Sequence, residues 1–303
     1  MLEWVTPAIQ DEKWITQIVD KAEAMGSDVS FANLYLLRDK YDIQIARYRD
    51  FLIRHYNGYF GRAGYTFPLG KVSKGSQDIV KALEEIEADA IRRCEKLQFT
   101  LLTHEQKDIL EECMPERFEF SCNPGDSDYI YLQEELATLP GKAFHKKKNH
   151  VSKFKRTYPD YEFREIGQCC IDDAALIEDA WYNEHLQEED DSALKEYKSI
   201  KDALEHFESL NLSGGILYVN NVPAAMSIAS HISGRVCDVH YEKAIGEYAV
   251  NGAYAMINKL FSESLSEYEY INREEDIGIE GLRKAKMSYR PKLILKKYNA
   301  IEK

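Results

Sequence analysis

Gly215-Ile-Leu-Tyr-Val-Asn-Asn-Val-Pro-Ala-Ala-Met-Ser-Ile-Ala-Ser230 reads as two strand-forming runs on either side of an Asn-Asn pair. Asn tolerates the left-handed backbone of a tight hairpin turn. Gly215 to Val219 and Pro223 to Ser230 are therefore expected to pair as antiparallel strands. Arg235 to Ala244 extends the meander as a third strand, and Val250 to Leu265 follows as a helix with Ala253, Met256, Ile257, Leu260 and Phe261 on one face. Upstream lie a strand, Tyr161 to Ile166, and two helices, Asp172 to Glu184 and Tyr197 to Leu210. Downstream come a strand, Tyr268 to Arg273, a helix, Glu280 to Tyr289, and a last strand, Leu293 to Tyr298.

Strand, two helices, antiparallel meander, helix, strand, helix, strand is the order of the GNAT acyltransferase fold. The first half carries a degraded copy. It runs from a helix at Lys13 to Met25 through strands at Phe31 to Arg38, Ile43 to Arg49 and Phe51 to Tyr56. A short strand at Tyr65 to Gly70 and a helix capped by Ser76 or Asp78 come next, then Leu97 to Leu102, His104 to Cys113 and Arg117 to Ser121 as strand, helix, strand. The expectation is an α+β chain, a tandem duplication of that fold with mixed, mostly antiparallel sheets flanked by helices. Its parts would be an N-terminal domain at 1–134, a basic connector at 135–158, and a C-terminal domain at 159–303 holding the active site.

The net charge of -13 excludes a general nucleic-acid coat, whose field must attract phosphate. Against that background Lys142 to Arg156 stands out, with seven Lys or Arg residues, two histidines and no acid. It could contact a polyanion, lie on an anionic membrane, or be an ordinary surface helix. No apolar run reaches transmembrane length and the N-terminus lacks a leader pattern, so the chain reads as cytoplasmic. Six scattered cysteines have no metal-site spacing and read as reduced thiols; adjacent Cys169 and Cys170 are a poor disulfide pair. Oligomeric state is left open.

The densest chemistry lies in Tyr270-Ile-Asn-Arg-Glu-Glu-Asp-Ile-Gly-Ile-Glu-Gly-Leu-Arg-Lys-Ala-Lys-Met-Ser-Tyr-Arg-Pro-Lys292. Alternation puts Tyr270, Asn272, Glu274 and Asp276 on one face of an extended segment, with Arg273 and Glu275 on the other. On the following helix Leu282, Ala285 and Tyr289 form an apolar stripe, and Arg283, Lys286 and Arg290 share the neighbouring face. Those cations could bind the phosphates of a tRNA acceptor end, a lipid head group or coenzyme A, or could be a solvated face paired with the acids. One of Glu274, Glu275 and Asp276 could take a proton from an attacking amine or hydroxyl, since like-charged neighbours raise a carboxyl pKa. In Asp238-Val-His-Tyr-Glu-Lys243, alternation places Asp238, His240 and Glu242 together, so His240 or Glu242 could face substrate. Asp238, His240 and Glu242 have the right residue types for a metal, but alternate strand positions are weak evidence and no metal site is expected. Gly246 to Gly252 leads into a helix whose N-terminus would meet a pyrophosphate in a coenzyme-A-dependent enzyme. The usual glycine-spaced acetyl-CoA loop is absent there.

Several blocks resemble a family of bacterial proteins related to the C-terminal domain of phosphatidylglycerol lysyltransferase. They are Glu135 to Lys142 with Lys146-Lys-Lys-Asn149, His240-Tyr-Glu-Lys243, Asn272 to Asp276, and Gly281 to Pro291. That group, like the peptidoglycan Fem transferases, has two GNAT-like domains and takes an aminoacyl group from charged tRNA. The resemblance implies an active-site role for Lys286, with Arg283 one turn earlier. It departs from the lysyltransferase in lacking the membrane-embedded part and in reading Asn-Arg-Glu-Glu-Asp before the helix. The expected activity is transfer of an aminoacyl or acyl group from an activated donor, charged tRNA favoured, to an amine or hydroxyl acceptor such as a lipid head group or small-molecule amine. An acyl-CoA-dependent enzyme, or an inactive pair of domains holding an anionic ligand, are the alternatives. Lys286, Arg283, Glu274, Glu275 and Asp276 are the expected catalytic residues; His240, Glu242, Asn272, Arg290, Lys146, Lys147 and Lys148 are the expected substrate contacts.

Overall fold

The computed structural model describes residues 1–58, 61–71, 76–185 and 191–303, without the side chains of Cys169, Asp191 and Ser192. The strands are β1 Ile43–Tyr48, β2 Phe51–Asn57, β3 Ala63–Tyr65, β4 Gln98–Leu102, β5 Phe118–Cys122, β6 Asp128–Leu132, β7 Tyr161–Glu165, β8 Ser213–Val219, β9 Val222–Ser233, β10 Val236–Ala244, β11 Tyr270–Asn272, β12 Leu293–Leu295 and β13 Tyr298–Glu302. The helices are α1 Glu12–Lys21, α2 Phe31–Leu36, α3 Arg38–Tyr41, α4 Gln77–Arg93, α5 His104–Cys113, α6 Gln133–Thr138, α7 His145–Thr157, α8 Ile171–His185, α9 Asp191–Glu205, α10 Gly246–Val250, α11 Ala253–Ser264 and α12 Glu280–Met287.

Two mixed sheets form the frame, a six-stranded one ordered β1-β2-β3-β4-β13-β5 and a seven-stranded one ordered β12-β6-β11-β10-β9-β8-β7. The expected hairpin is the centre of the second. Asn220 and Asn221 both adopt left-handed φ, 50° and 63°, as a two-residue turn with the twist of its strands requires. The sheets do not follow the halves of the sequence. β6, which precedes the connector, lies between β11 and β12 of the second sheet, with Tyr131 opposite Ile271 and Tyr129 opposite Ile294. The last strand, β13, inserts between β4 and β5 of the first, with Ala300 opposite Phe120. Each half lends a strand to the other's sheet.

One apolar core joins the halves: Ile15, Phe31, Leu34 and Ile45 pack with Ile177, Ile200, Ile216 and Ile228. The opposite face of the second sheet is covered by α6, α7 and α11 through Leu136, Phe154, Met256 and Phe261. A third core fills the first sheet beneath α4 and α5, with Leu83, Ile86, Phe99 and Leu110 at its centre.

Phe31 to Arg38, expected as a strand, is helical over Phe31–Leu36, with the Ser30 side chain accepting from the Asn33 amide. All six helix residues are buried. A run apolar on every side carries no period, so a buried short helix and a buried strand look alike in sequence. Tyr65 to Gly70 is strand only to Tyr65, followed by an isolated bridge between Leu52 and Leu69. Among the described residues, no helix is long and apolar enough to cross a membrane.

Candidate functional site

β10 and β11 run parallel and pair only from Val236–Asp238 to Tyr270–Asn272. Beyond that point β10 continues to Ala244, while the chain after Asn272 turns towards β6: the Arg273 amide donates to the Tyr129 carbonyl and Glu274 takes φ 57°. The two central strands therefore splay. A β-bulge sits beside the split, where Val239 faces Ala229 but Tyr241 faces Ile228. Two residues against one shift the alternation. His240 stays with Asp238, while Glu242 turns to the other face, where it accepts from Asn258 of α11 (3.1 Å) and pairs with Arg273 (2.9 Å). The expectation that Asp238, His240 and Glu242 share a face is corrected by this bulge.

Asn272, which ends β11, and the three acids that follow have separate fates. Asn272 is fully buried; its side chain donates to the Met25 carbonyl (2.8 Å) and Asp128 (2.9 Å) and accepts from the Glu274 amide (2.7 Å). Glu275 pairs with Arg62 from the first half. Burial pushes its pKa up, but the charges of Arg62, Lys297 and Lys286 with a backbone hydrogen bond together outweigh it and hold the carboxyl low. Asp276 accepts from Arg283 Nε (2.7 Å) and Nη2 (2.9 Å), the Tyr129 hydroxyl (2.6 Å) and the Gly278 amide (2.8 Å). Burial again opposes ionisation, and the Arg283 and Tyr129 hydrogen bonds overcome it. Glu274 instead accepts from Asn33 Nδ2 of α2 (3.1 Å), and its Oε1 lies 3.0 Å from His240 Nδ1.

His240 is the hub on this face. Its Nδ1 is also 3.5 Å from Asp238 Oδ2, and its Nε2 is 2.8 Å from the Ser230 hydroxyl. Asp238 is fully buried, accepts from Ser30 (3.3 Å), and has Oδ1 without a partner. Burial, then the charges of Glu274 and Asp128, push its pKa well up. The carboxylates of Asp238 and Glu274 and the imidazole of His240 place one ligand-type atom each within 4.8 Å of the others. The metal-type trio that sequence alternation did not support is thus present, with Glu274 in place of Glu242.

On the other side of the split, Lys286 points inward from α12 and donates to the carbonyl oxygens of Arg273 and Glu274. Burial, then the Arg273 charge, lower its pKa. This corrects the expected helix faces. The inward side of α12 and its following turn carries Lys286 and Tyr289, while Leu282 and Ala285 are exposed and Arg290 lies beyond the helix with a left-handed φ of 56°. A carbonyl cradle stabilises the ammonium more than an alkyl group could. Lys147 of α7 lies over the Tyr289 ring at 3.7 Å, and burial lowers its pKa to about 8. Lys146 and Lys148 are exposed, and Lys148 donates to the Gly141 carbonyl (2.8 Å). Ser30, Asn33, Arg62 and Ser230 were not anticipated; the Ser30-to-Asn33 cap was their only local signal.

Residues 20–301 match the family described as "Phosphatidylglycerol lysyltransferase, C-terminal". The chain belongs to this family. Its fold is shared over the full length of both chains by a conserved protein of unknown function from Bacteroides thetaiotaomicron, 36% identical with a TM-score of 0.92. L-PGS from Bacillus licheniformis shares it at 12% identity and TM-score 0.66, over 98% of this chain and 92% of that one. FemX does so at 8% identity and TM-score 0.62, over 99% and 97%. Among curated proteins, the uncharacterized protein MYCGA3080 of Mycoplasmoides gallisepticum is 24% identical over 177 residues, 57% of this chain and 55% of that protein, so the match spans about half the relative's length. As a family member with a tandem GNAT-like fold, the chain is related to lysyltransferases and GNAT-like transferases.

Proposed function

We propose that this protein transfers an aminoacyl group from a charged tRNA to an amine or hydroxyl acceptor in the β10–β11 split. The observation that carries the choice of donor is the packing of α7 on α11. Gly252, at the start of α11, has φ 103°, and a Cβ there would lie 2.5 Å from the His150 carbonyl of α7. Gly252 and Ala253 are buried, and Lys153 donates to the Val250 carbonyl (3.1 Å). The helix terminus that would receive a coenzyme A pyrophosphate is covered by the chain itself. The helix that covers it presents Lys146, Lys148, Lys155 and Arg156 outward and sends Lys147 inward to Tyr289. A polyanionic donor with its reactive end in the split suits this arrangement.

In the reaction the acceptor nitrogen or oxygen attacks the ester carbonyl, the bond to the tRNA 3′-oxygen breaks, and the acceptor's proton ends on that oxygen. Lys286 has three N–H groups and uses two on backbone carbonyls, leaving one to stabilise developing negative charge. Glu275 and Asp276 are committed to Arg62 and Arg283, which supports Glu274, through its second carboxylate oxygen, as the acid that takes the proton. Asn272, Arg283 and Arg290 act in this reading by shaping the corner.

The test is a salt titration of charged-tRNA binding, wild type against a Lys146, Lys147, Lys148 triple Ala variant, followed by transfer of a labelled aminoacyl group to a panel of lipid and small-molecule acceptors. Salt-sensitive binding that the variant loses, with transfer, is expected. Acylation from acyl-CoA with no tRNA binding at low salt would replace this reading by the coenzyme A one. Binding without turnover from any donor would leave an anion-binding protein.

A further inference from the structure

We propose that Asp238, His240 and Glu274 hold a divalent transition-metal ion, zinc being the first choice, at the root of the β10–β11 split. The two separations from the His240 ring nitrogen suit one ion. Donor atoms bound at about 2.1 Å stand about 3.0 Å apart at a right angle and about 3.4 Å apart in a tetrahedron. His240 Nδ1 is 3.0 Å from Glu274 Oε1 and 3.5 Å from Asp238 Oδ2. The same carboxylate carries a second observation: Oδ2 is the oxygen beside His240 and accepts from Ser30, while its other oxygen is unused. Asp238 is fully buried, yet its Oδ1 has no hydrogen-bond partner. A buried carboxylate oxygen left bare costs free energy that a cation recovers.

The surroundings suit ligation. With Nδ1 on the ion, His240 Nε2 carries the proton and donates to the Ser230 hydroxyl, 2.8 Å away, which fixes the ring. Asn33 orients Glu274 and Ser30 orients Asp238 through their hydrogen bonds. One imidazole with two carboxylates favours Zn2+, Mn2+ or Co2+ over Mg2+ and Ca2+, which prefer oxygen alone. Asp238 and His240 side chains are buried, whereas Glu274 is a quarter exposed (24%), so a remaining coordination position faces the split. An acceptor hydroxyl or amine bound there would lose its proton more easily. The ion site rests on geometry alone; its part in catalysis rests on the proposed transfer.

The experiment uses the full chain, stripped with a chelator and titrated with Co2+ and Zn2+. A saturable visible d–d absorption at one Co2+ per chain, and a Tm rise of about 3 °C or more with excess Zn2+, are expected. Asp238→Asn should abolish both, and Glu274→Gln, at the exposed ligand, should weaken Co2+ binding at least about 10-fold even if the buried variant fails to fold. No absorption and no Tm change in stripped wild type would overturn the site, as would equal binding in Glu274→Gln. Ion binding without aminoacyl transfer would keep the site and remove the transfer reading; full transfer by stripped protein would do the reverse for the ion's catalytic role.

Discussion

Lys286 is a buried ammonium held by two backbone carbonyls at the point where the central strands part. If it stabilises charge formed only during transfer, Lys286→Met should lower kcat by about 100-fold or more while KM for the donor changes little. The same kcat in the variant would take the residue out of the transition state. Lys147 offers a check that needs no substrate. Its folded pKa of about 8 lies below that of a free lysine, so above pH 8 the unfolded chain binds more protons than the folded one. Stability relative to Lys147→Met should therefore rise with pH between about 8 and 10, read as a wild-type Tm that climbs relative to the variant's. A flat difference would mean that the ammonium is solvated. The acids at this scale were legible as a group but not individually, because their roles depend on partners far away in sequence. Arg62 and Asn33 come from the first half, and no spacing within Glu274-Glu275-Asp276 distinguishes the member that meets His240.

Among the elements, the α7–α11 contact separates the donor readings, and its weak point is Gly252. Ala there would meet the His150 carbonyl and a strained φ together, so Gly252→Ala should destabilise by about 2–4 kcal/mol, measured by denaturant unfolding. A neutral result would mean that α7 does not rest on α11 as described. The β8–β9 hairpin could be read from sequence because its Asn-Asn turn has a backbone requirement of its own. β6 could not, since its partners are β11 and β12 at the other end of the chain. The bulge at His240 was equally hidden, because register is a property of two strands and only one carries the motif. Helix α2 reads as a strand in sequence for want of any period.

For the whole molecule, a buried ionic knot ties the halves together. Lys297 pairs with Asp28 and Asp128 (3.0 Å to the latter), and Asp28 with Arg54 (2.6 Å). Burial disfavours the Lys297 charge, but Asp128 and Asp28 outweigh it and raise its pKa. Lys297→Met leaves two buried carboxylates short of a partner and should cost about 3–5 kcal/mol. With strands exchanged and a shared core, the protein should melt in a single calorimetric transition, with matching calorimetric and van't Hoff enthalpies. Two separated transitions would show that the halves fold independently. The reciprocal strands also bear on how the chain is made. A ribosome delivers β4 and β5 long before β13, which belongs between them. The first sheet must wait, with the slot between β4 and β5 unfilled, until Tyr298–Glu302 has left the exit tunnel. A nascent chain stalled before Tyr298 should therefore be bound by chaperones and cut by protease in its first half, and emergence of β13 should close the first sheet.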